Sequence, residues 1–342
     1  METGVIYSEK YLEHELTPGH PENPERLRAI MNAIQQRKDL LKKIKILDAS
    51  KASEEDIELV HDSDYIAKVK EYSETGERID LDTPMNEKTF ELALLAAGGT
   101  EELAMRIAEQ EFKNGFALIR PPGHHATRGK GGGFCFFNNI AIAAAKLIEN
   151  HFAEKILIFD FDSHHGNGTQ DIFYNRNDVL YISFHQDGKT LYPGTGFPEE
   201  VGSSEGEGYN INIPFTPGSS DKHFAEALRR FFIPISEQFE PDMILVSAGF
   251  DPHSNDNLTK LDLTSEAFEM LGNTAINQAK KLCGGKIMFT LEGGYAIESQ
   301  AESAIKIFER LTDPHPLDLG KGMPDYNFNE IEKSIKPYWE ID

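Results

Sequence analysis

The chain has 342 residues, of which 39% are apolar and 27% charged, with a formal net charge of −23. That balance fits a soluble globular protein with a large core, and it argues against binding nucleic acid or anionic membrane through clustered lysine and arginine. It is compatible with a cationic substrate, although an acidic surface is also a plain solubility device.

The only cysteines are Cys135 and Cys283, which gives no disulfide framework and points to a reducing compartment. The start METGVIYSEK has no apolar leader core, and no apolar run approaches the ~18 residues of a membrane span. The sequence therefore predicts a cytoplasmic location with no membrane partner.

In chain order, residues 1–85 form a leading layer. A short strand over 4–8 (GVIYS) precedes the loop PGHPENPERLRAI, whose Asn23-Pro24 followed by Glu25 and Arg26 fits a capped helix start. A second helix begins after Asp62 or Ser63. Phe90, Leu94, Leu95, Leu103 and Ile107 have helical spacing across 86–112, with Gly98-Gly99 as a weak point.

Strand and helix then alternate. Apolar runs at 115–119 (GFALI), 155–159 (KILIF), 179–182 (VLYI), 242–246 (DMILV) and 286–290 (KIMFT) suit strands buried on both faces. Helices are expected at 138–150, 221–239 and 264–282. This rhythm implies an α/β fold, a parallel sheet covered by helices on both faces. Residues 1–312 read as one domain. Residues 313–342, with the only tryptophan, Trp339, read as a C-terminal extension packed on the body or on a partner subunit.

Each of the five runs ends in polar residues, and open α/β sheets bind ligands beyond the carboxyl ends of their strands. Asp160, Asp162 and His164 alternate at i, i+2 and i+4, which puts them on one side if the chain stays extended. Asp251 is a natural third ligand beside Asp162 and His164. Two carboxylates, one imidazole and an open position suit a catalytic metal, with Fe2+ and Mn2+ open beside zinc. Taken alone, DxDxH is equally a capped turn.

His124 and His125 suggest one general base and one electrostatic partner. Tyr295, after Gly293-Gly294, can donate to a carbonyl oxygen becoming an oxyanion. His185 is as much a structural histidine as a ligand. The stretch GKGGGFCFFNN lacks the GK[ST] ending of a phosphate cradle and better suits an aromatic slot. Phe134 is its lining candidate and Phe136 and Phe137 belong to the core, with Leu191 to Gly194 as the opposite wall.

In this order, RPPGHHA (120–126), GGGFCFFNN, DFDSHHGNGTQ (160–170), YPGTG (192–196), SAGFD and LEGGY closely resemble the zinc-dependent histone deacetylase superfamily, which includes acetylpolyamine amidohydrolases and bacterial and archaeal deacetylase-like proteins. The resemblance covers roughly residues 15 to 300, and HPENPERL and LEGGY look more like the class II branch. It implies the arginase-like fold, a parallel sheet of about eight strands between helices.

By position, the resemblance makes Asp162, His164 and Asp251 the zinc ligands and His125 the general base and then acid. It makes His124 the electrostatic partner, Asp160 its orienting carboxylate and Tyr295 the transition-state tyrosine. Asn167 stands beside His125, where many relatives carry Asp. Phe134 and Tyr192 match the walls of the acyl-lysine tunnel, Gly133 its backbone acceptor and Asp82 a rim residue holding the substrate backbone. The main-chain oxygens of Asp160, Asp162, His164 and Phe184, with the Ser183 hydroxyl, match an inner site for structural K+ or Na+.

Leu258 stands at the tunnel mouth, where polyamine-selective relatives place Glu, which favours acyl-lysine in a protein or peptide over an acetylated polyamine. The loop DPHSNDNLTKLDLT departs from the family pattern, however, and leaves Asp256 as an alternative mouth carboxylate. The implied function is hydrolysis of an acetyl- or short acyl-lysine amide. The alternatives are an acetylpolyamine or other small-molecule amidohydrolase and a catalytically idle binding protein. A homo-oligomer is left open.

Overall fold

The computed structural model describes residues 2–316 and 318–341. Its strands are β1 (Thr3–Ile6), β2 (Ile44–Leu47), β3 (Arg78–Asp80), β4 (Thr83–Pro84), β5 (Asn114–Ala117), β6 (Ile156–Asp160), β7 (Val179–Gln186), β8 (Asn210–Phe215), β9 (Met243–Ala248) and β10 (Ile287–Leu291). Its helices are α1 (Glu25–Gln35), α2 (Lys38–Leu41), α3 (Glu54–Glu58), α4 (Ser63–Thr75), α5 (Thr89–Ala108), α6 (Asn139–Glu149), α7 (Asn167–Phe173), α8 (Asp221–Ala227), α9 (Ile233–Phe239), α10 (Ser265–Leu282), α11 (Ile297–Thr312) and α12 (Asn329–Ile335).

Eight strands form one parallel sheet in the order β2-β1-β5-β10-β9-β6-β7-β8, and β3 and β4 make a separate hairpin. The five strands expected from apolar runs are five consecutive strands at the centre of this sheet, so their polar ends share one edge. Helices α5 and α6 pack on each other; α10 and α11 form a second pair, which α1 extends along α11. Among the described residues no helix is long and apolar enough to cross a membrane.

The two edge strands are not marked by such runs. In β2 the pattern IKIL is largely exposed beyond its first residue, and in β8 Asn210, Asn212 and Pro214 interrupt the apolar residues. Proline is tolerated in β8 because an edge strand has a free side.

Two helices differ from expectation. Gly98 does not weaken α5, which is continuous; a Cβ there would lie 2.2 Å from the Ala52 nitrogen, so the glycine admits a neighbouring chain. The helix expected over 221–239 is helical across that whole range but contains a π-helical turn at Leu228–Phe232, two residues before Pro234. Proline lacks an N–H and collides with the carbonyl four residues back, and the wider turn accommodates it.

Residues 318–341 lie against the body. Phe328 is buried, with its ring 5.1 Å from that of Phe231 and 6.4 Å from that of Phe215. The Trp339 indole donates to the Gly208 carbonyl at 2.7 Å and sits edge-on to Tyr209.

Candidate active site

β6 and β9 are neighbours, with Asp160 opposite Ser247. Beyond these ends Asp162, His164 and Asp251 offer ligand atoms that all lie within 4.8 Å of one another. Asp162 and Asp251 are fully buried. Asp162 Oδ2 accepts from Gly293 N at 2.8 Å and its Oδ1 from His164 N at 2.9 Å, while Asp251 Oδ1 accepts from Ser163 N at 2.8 Å. The free Asp251 Oδ2 has no hydrogen-bond partner and lies 2.7 Å from His164 Nδ1. Asp162 Oδ1 is 3.1 Å from the same nitrogen.

Burial and the Asp162 charge push Asp251 up to about 7. Burial opposes a charge on His164, yet the Asp251 and Asp162 carboxylates push it up to about 10. Two buried carboxylates converging on one imidazole, with an orphaned oxygen between them, fit a divalent cation.

The two adjacent histidines have opposite surroundings. Asp160 Oδ2 accepts from His124 Nδ1 and from the Tyr181 hydroxyl, each at 3.0 Å, and Asp160 Oδ1 accepts from Asp162 N. Burial disfavours the His124 imidazolium, but Asp160 and Asp162 outweigh it and raise His124 to about 10. His125 Nδ1 is instead 2.8 Å from Asn167 Oδ1, a neutral acceptor. Burial, then the positive charges on His124 and His164, hold His125 well below the usual histidine range. The Asn167 oxygen requires a proton on Nδ1, so Nε2 is left as the basic nitrogen. The rings are 4.1 Å apart, and their surroundings push the two basicities in opposite directions.

A cavity of about 210 Å³ opens over this group, lined by Asp80, Asp82, His125, Gly133, Phe134, His164, Leu191, Tyr192, Leu258 and Tyr295. A larger cleft of about 1120 Å³ beside the C-terminal segment is lined by no histidine, and its glutamates form no ligand cluster among the described residues. Tyr192 stands edge-on to His125 at 5.1 Å, and Phe134 edge-on to Tyr295 at 5.7 Å. Gly133 has φ of +54°, and a Cβ there would fall 2.4 Å from His125 Cδ2, so no side chain fits between the wall and the base.

Leu258 is 41% exposed at the rim. Asp256, the alternative mouth carboxylate, is turned inward: its Oδ2 accepts from Tyr295 N at 2.7 Å and Ala296 N at 3.1 Å, and its Oδ1 from Leu258 N at 3.0 Å. His185 is not a ligand either; it bonds Ser183 Oγ and the Gly196 carbonyl away from the cavity. Ser183 and Asp160 face each other in the β6–β7 register, and Phe184 follows, fully buried.

A histone deacetylase domain model matches residues 20–311. The chain belongs to the histone deacetylase family. It is 43% identical over 299 residues to a "probable deacetylase" of Archaeoglobus fulgidus, covering 87% of this chain and 82% of that one. It is 39% identical to histone deacetylase 15 of Arabidopsis thaliana, over 92% of this chain and 57% of that one. It is also 35% identical to a histone deacetylase-like amidohydrolase of Pseudomonas aeruginosa, over 86% of this chain and 77% of that one. The crystal structure of the HDA15 HD domain superposes with a TM-score of 0.89 at 36% identity, covering 99% of this chain and 95% of that one. The eight-stranded parallel sheet with surrounding helices is thus the deacetylase, arginase-like fold. Membership carries hydrolase activity toward acetylated substrates, in a family that is generally metal-dependent.

Residues that sequence reasoning did not assign support this histone deacetylase family site. The buried Arg26 donates to the carbonyls of Gly294, at 2.7 Å, and Glu292, and its guanidinium lies 5.0 Å from the Tyr295 ring centre. Glu22 binds both Arg26 and Arg120. Glu292 Oε2 accepts from the amides of Gly123, at 2.8 Å, and His124, and Ser247 Oγ donates to its other oxygen. The signal available was their place inside HPENPERL and LEGGY, two of the segments that carry the family resemblance.

Proposed function

We propose that this histone deacetylase family member is a zinc-dependent deacylase that hydrolyses the amide of acetyl-lysine, or a related short acyl-lysine, in proteins or peptides. The observation that carries the substrate assignment is the mouth: Leu258 stands at the rim while Asp256 is withdrawn onto backbone amides. Leu258 puts no carboxylate at that position to hold the second amine of a polyamine, whereas a narrow aromatic cavity suits a single aliphatic chain.

Asp162, His164 and Asp251 would hold zinc, with Fe2+ or Mn2+ as competing occupants. Such an ion supplies a Lewis acid that polarises the amide carbonyl and acidifies water. His125 Nε2, kept neutral, takes a proton from the attacking water. His124, kept charged by Asp160, stabilises the developing negative charge, and the Tyr295 phenol donates to the same oxyanion. The proton on His125 then passes to the departing amine, leaving a carboxylic acid and a free amine. Asn167 holds the required tautomer throughout. The Ser183 hydroxyl and the main-chain oxygens of Asp160, Asp162, His164 and Phe184 are proposed to hold a structural K+ or Na+ that steadies the same segment.

A second assignment, to acetylated polyamines, is favoured by Asp80 and Asp82 in the cavity lining and by the −23 net charge. The deciding experiment compares kcat/KM for an acetyl-lysine peptide, N-acetylputrescine and N-acetylspermidine. Preference for the peptide is expected; preference for the polyamines would overturn the assignment. Leu258→Glu is expected to raise activity on the acetylated polyamines at least ~5-fold, an opposite charge near a cation being worth about 1 kcal/mol or more. No change would remove Leu258 as the gate.

A further inference from the structure

The segment that presents Tyr295 is held from two sides. Arg26 binds its carbonyls, at Glu292 and Gly294. Asp256, 5% exposed, binds its amides, at Tyr295 and Ala296. Glu292 and Gly293 are anchored further back, by the Glu292 carboxylate and by Gly293 N on Asp162, and beyond the glycines Asp256 binds the amides of Tyr295 and Ala296 themselves. The other oxygen of Asp256 takes the amide of Leu258, at 3.0 Å. One residue further on, the Thr259 hydroxyl donates to the carbonyl of Asp251 at 2.6 Å. A single carboxylate thus ties the rim to the oxyanion donor, and the Thr259 hydroxyl ties the same loop to the strand end that carries the third ligand candidate.

We propose that Asp256 is a positioning residue: its paired bonds to the Tyr295 and Ala296 amides hold the phenol at the oxyanion position, and its bond to Leu258 couples that placement to the shape of the mouth. Asp256 lines no part of the cavity, so it acts through Tyr295 and not on the substrate. Hydrogen bonds from amides to a carboxylate are roughly twice as strong as neutral ones, and a donor displaced by about 1 Å can cost ~10²-fold in rate. The proposal rests on the deacylase assignment, which uses Tyr295 as the donor.

The test is a double-mutant cycle on the metal-loaded protein with an acetyl-lysine peptide, together with hydrogen exchange. Asp256→Ala is expected to lower kcat by ~10- to 10²-fold with KM changed less than ~3-fold, and Asp256→Asn, which keeps one acceptor oxygen, to lose less. In a Tyr295→Phe background, Asp256→Ala should cost less than a further ~3-fold, because the donor it positions is gone. Equal losses in both backgrounds, or a loss confined to KM, would overturn the proposal.

Hydrogen exchange supplies a readout independent of turnover. Asp256→Asn and Asp256→Ala should raise exchange at the amides of Tyr295 and Ala296 while β6 stays protected. Unchanged exchange there would also overturn it. If the wild-type protein hydrolyses no acylated amine, the deacylase assignment fails, and the exchange arm still decides whether Asp256 holds this segment.

Discussion

Exchanging Asn167 for Asp should move the pH dependence of the reaction toward alkaline pH. Asn167 Oδ1 is 2.8 Å from His125 Nδ1, and burial together with the His124 and His164 charges holds His125 well below the usual range. The same site contains the comparison: His124, 3.0 Å from the Asp160 carboxylate, is raised to about 10 despite burial. A unit charge placed about 4 Å from the imidazolium, at an effective dielectric near 20, contributes about 4 kcal/mol before the cost of burying the new carboxylate. Discounted for that cost, a rise of ~1–3 pH units in the His125 pKa is expected.

The base must be deprotonated to act, so a raised pKa shifts the acid limb of kcat/KM upward by the same ~1–3 units. The assay is kcat/KM against pH for wild type and Asn167→Asp with one acetyl-lysine peptide. An acid limb that stays in place, or moves to lower pH, would refute the assignment of His125 as the base and Asn167 as its neutral partner.

Tyr295→Phe should lower kcat by ~10²–10³-fold with little change in KM, as expected for loss of one oxyanion donor; near wild-type turnover would show the donor lies elsewhere. Chelation should abolish turnover and zinc should restore it, with Asp251→Ala losing metal content by elemental analysis; activity retained in metal-free protein would end the Lewis-acid mechanism. Phe328→Ala should destabilise the protein by about 3–5 kcal/mol in denaturant melts, because its buried ring packs on Phe231. A loss below about 1 kcal/mol would mean that the C-terminal segment is not docked as described.

The five central strands were legible because both of their faces are buried, so each appears as an unbroken apolar run whose polar ending marks the carboxyl edge of the sheet. Asp160, Asp162 and His164 were legible for a related reason: alternation along an extended chain puts them on one side. The edge strands β2 and β8 were not, since a strand with a free side mixes polar residues and even Pro214 into its pattern. Helix α11 also went unnamed, although Ala301, Ala304, Ile305, Phe308 and Leu311 line its buried face.

What only the tertiary structure decided concerns pairs of residues far apart in the chain. The sequence alone determined the residue types of the chemistry and, through strand order and polarity, the edge of the sheet on which they gather. It could not say that Asp256 faces inward to the Tyr295 amides and not outward to the mouth. Nor could it say that Arg26, 268 residues before Gly294, grips the tyrosine segment from the other side. The physical reason is the same in each case. Apolar burial and backbone alternation are local and leave a periodic trace, whereas a buried carboxylate or guanidinium acquires its role from whichever unpaired backbone groups the finished fold brings to it.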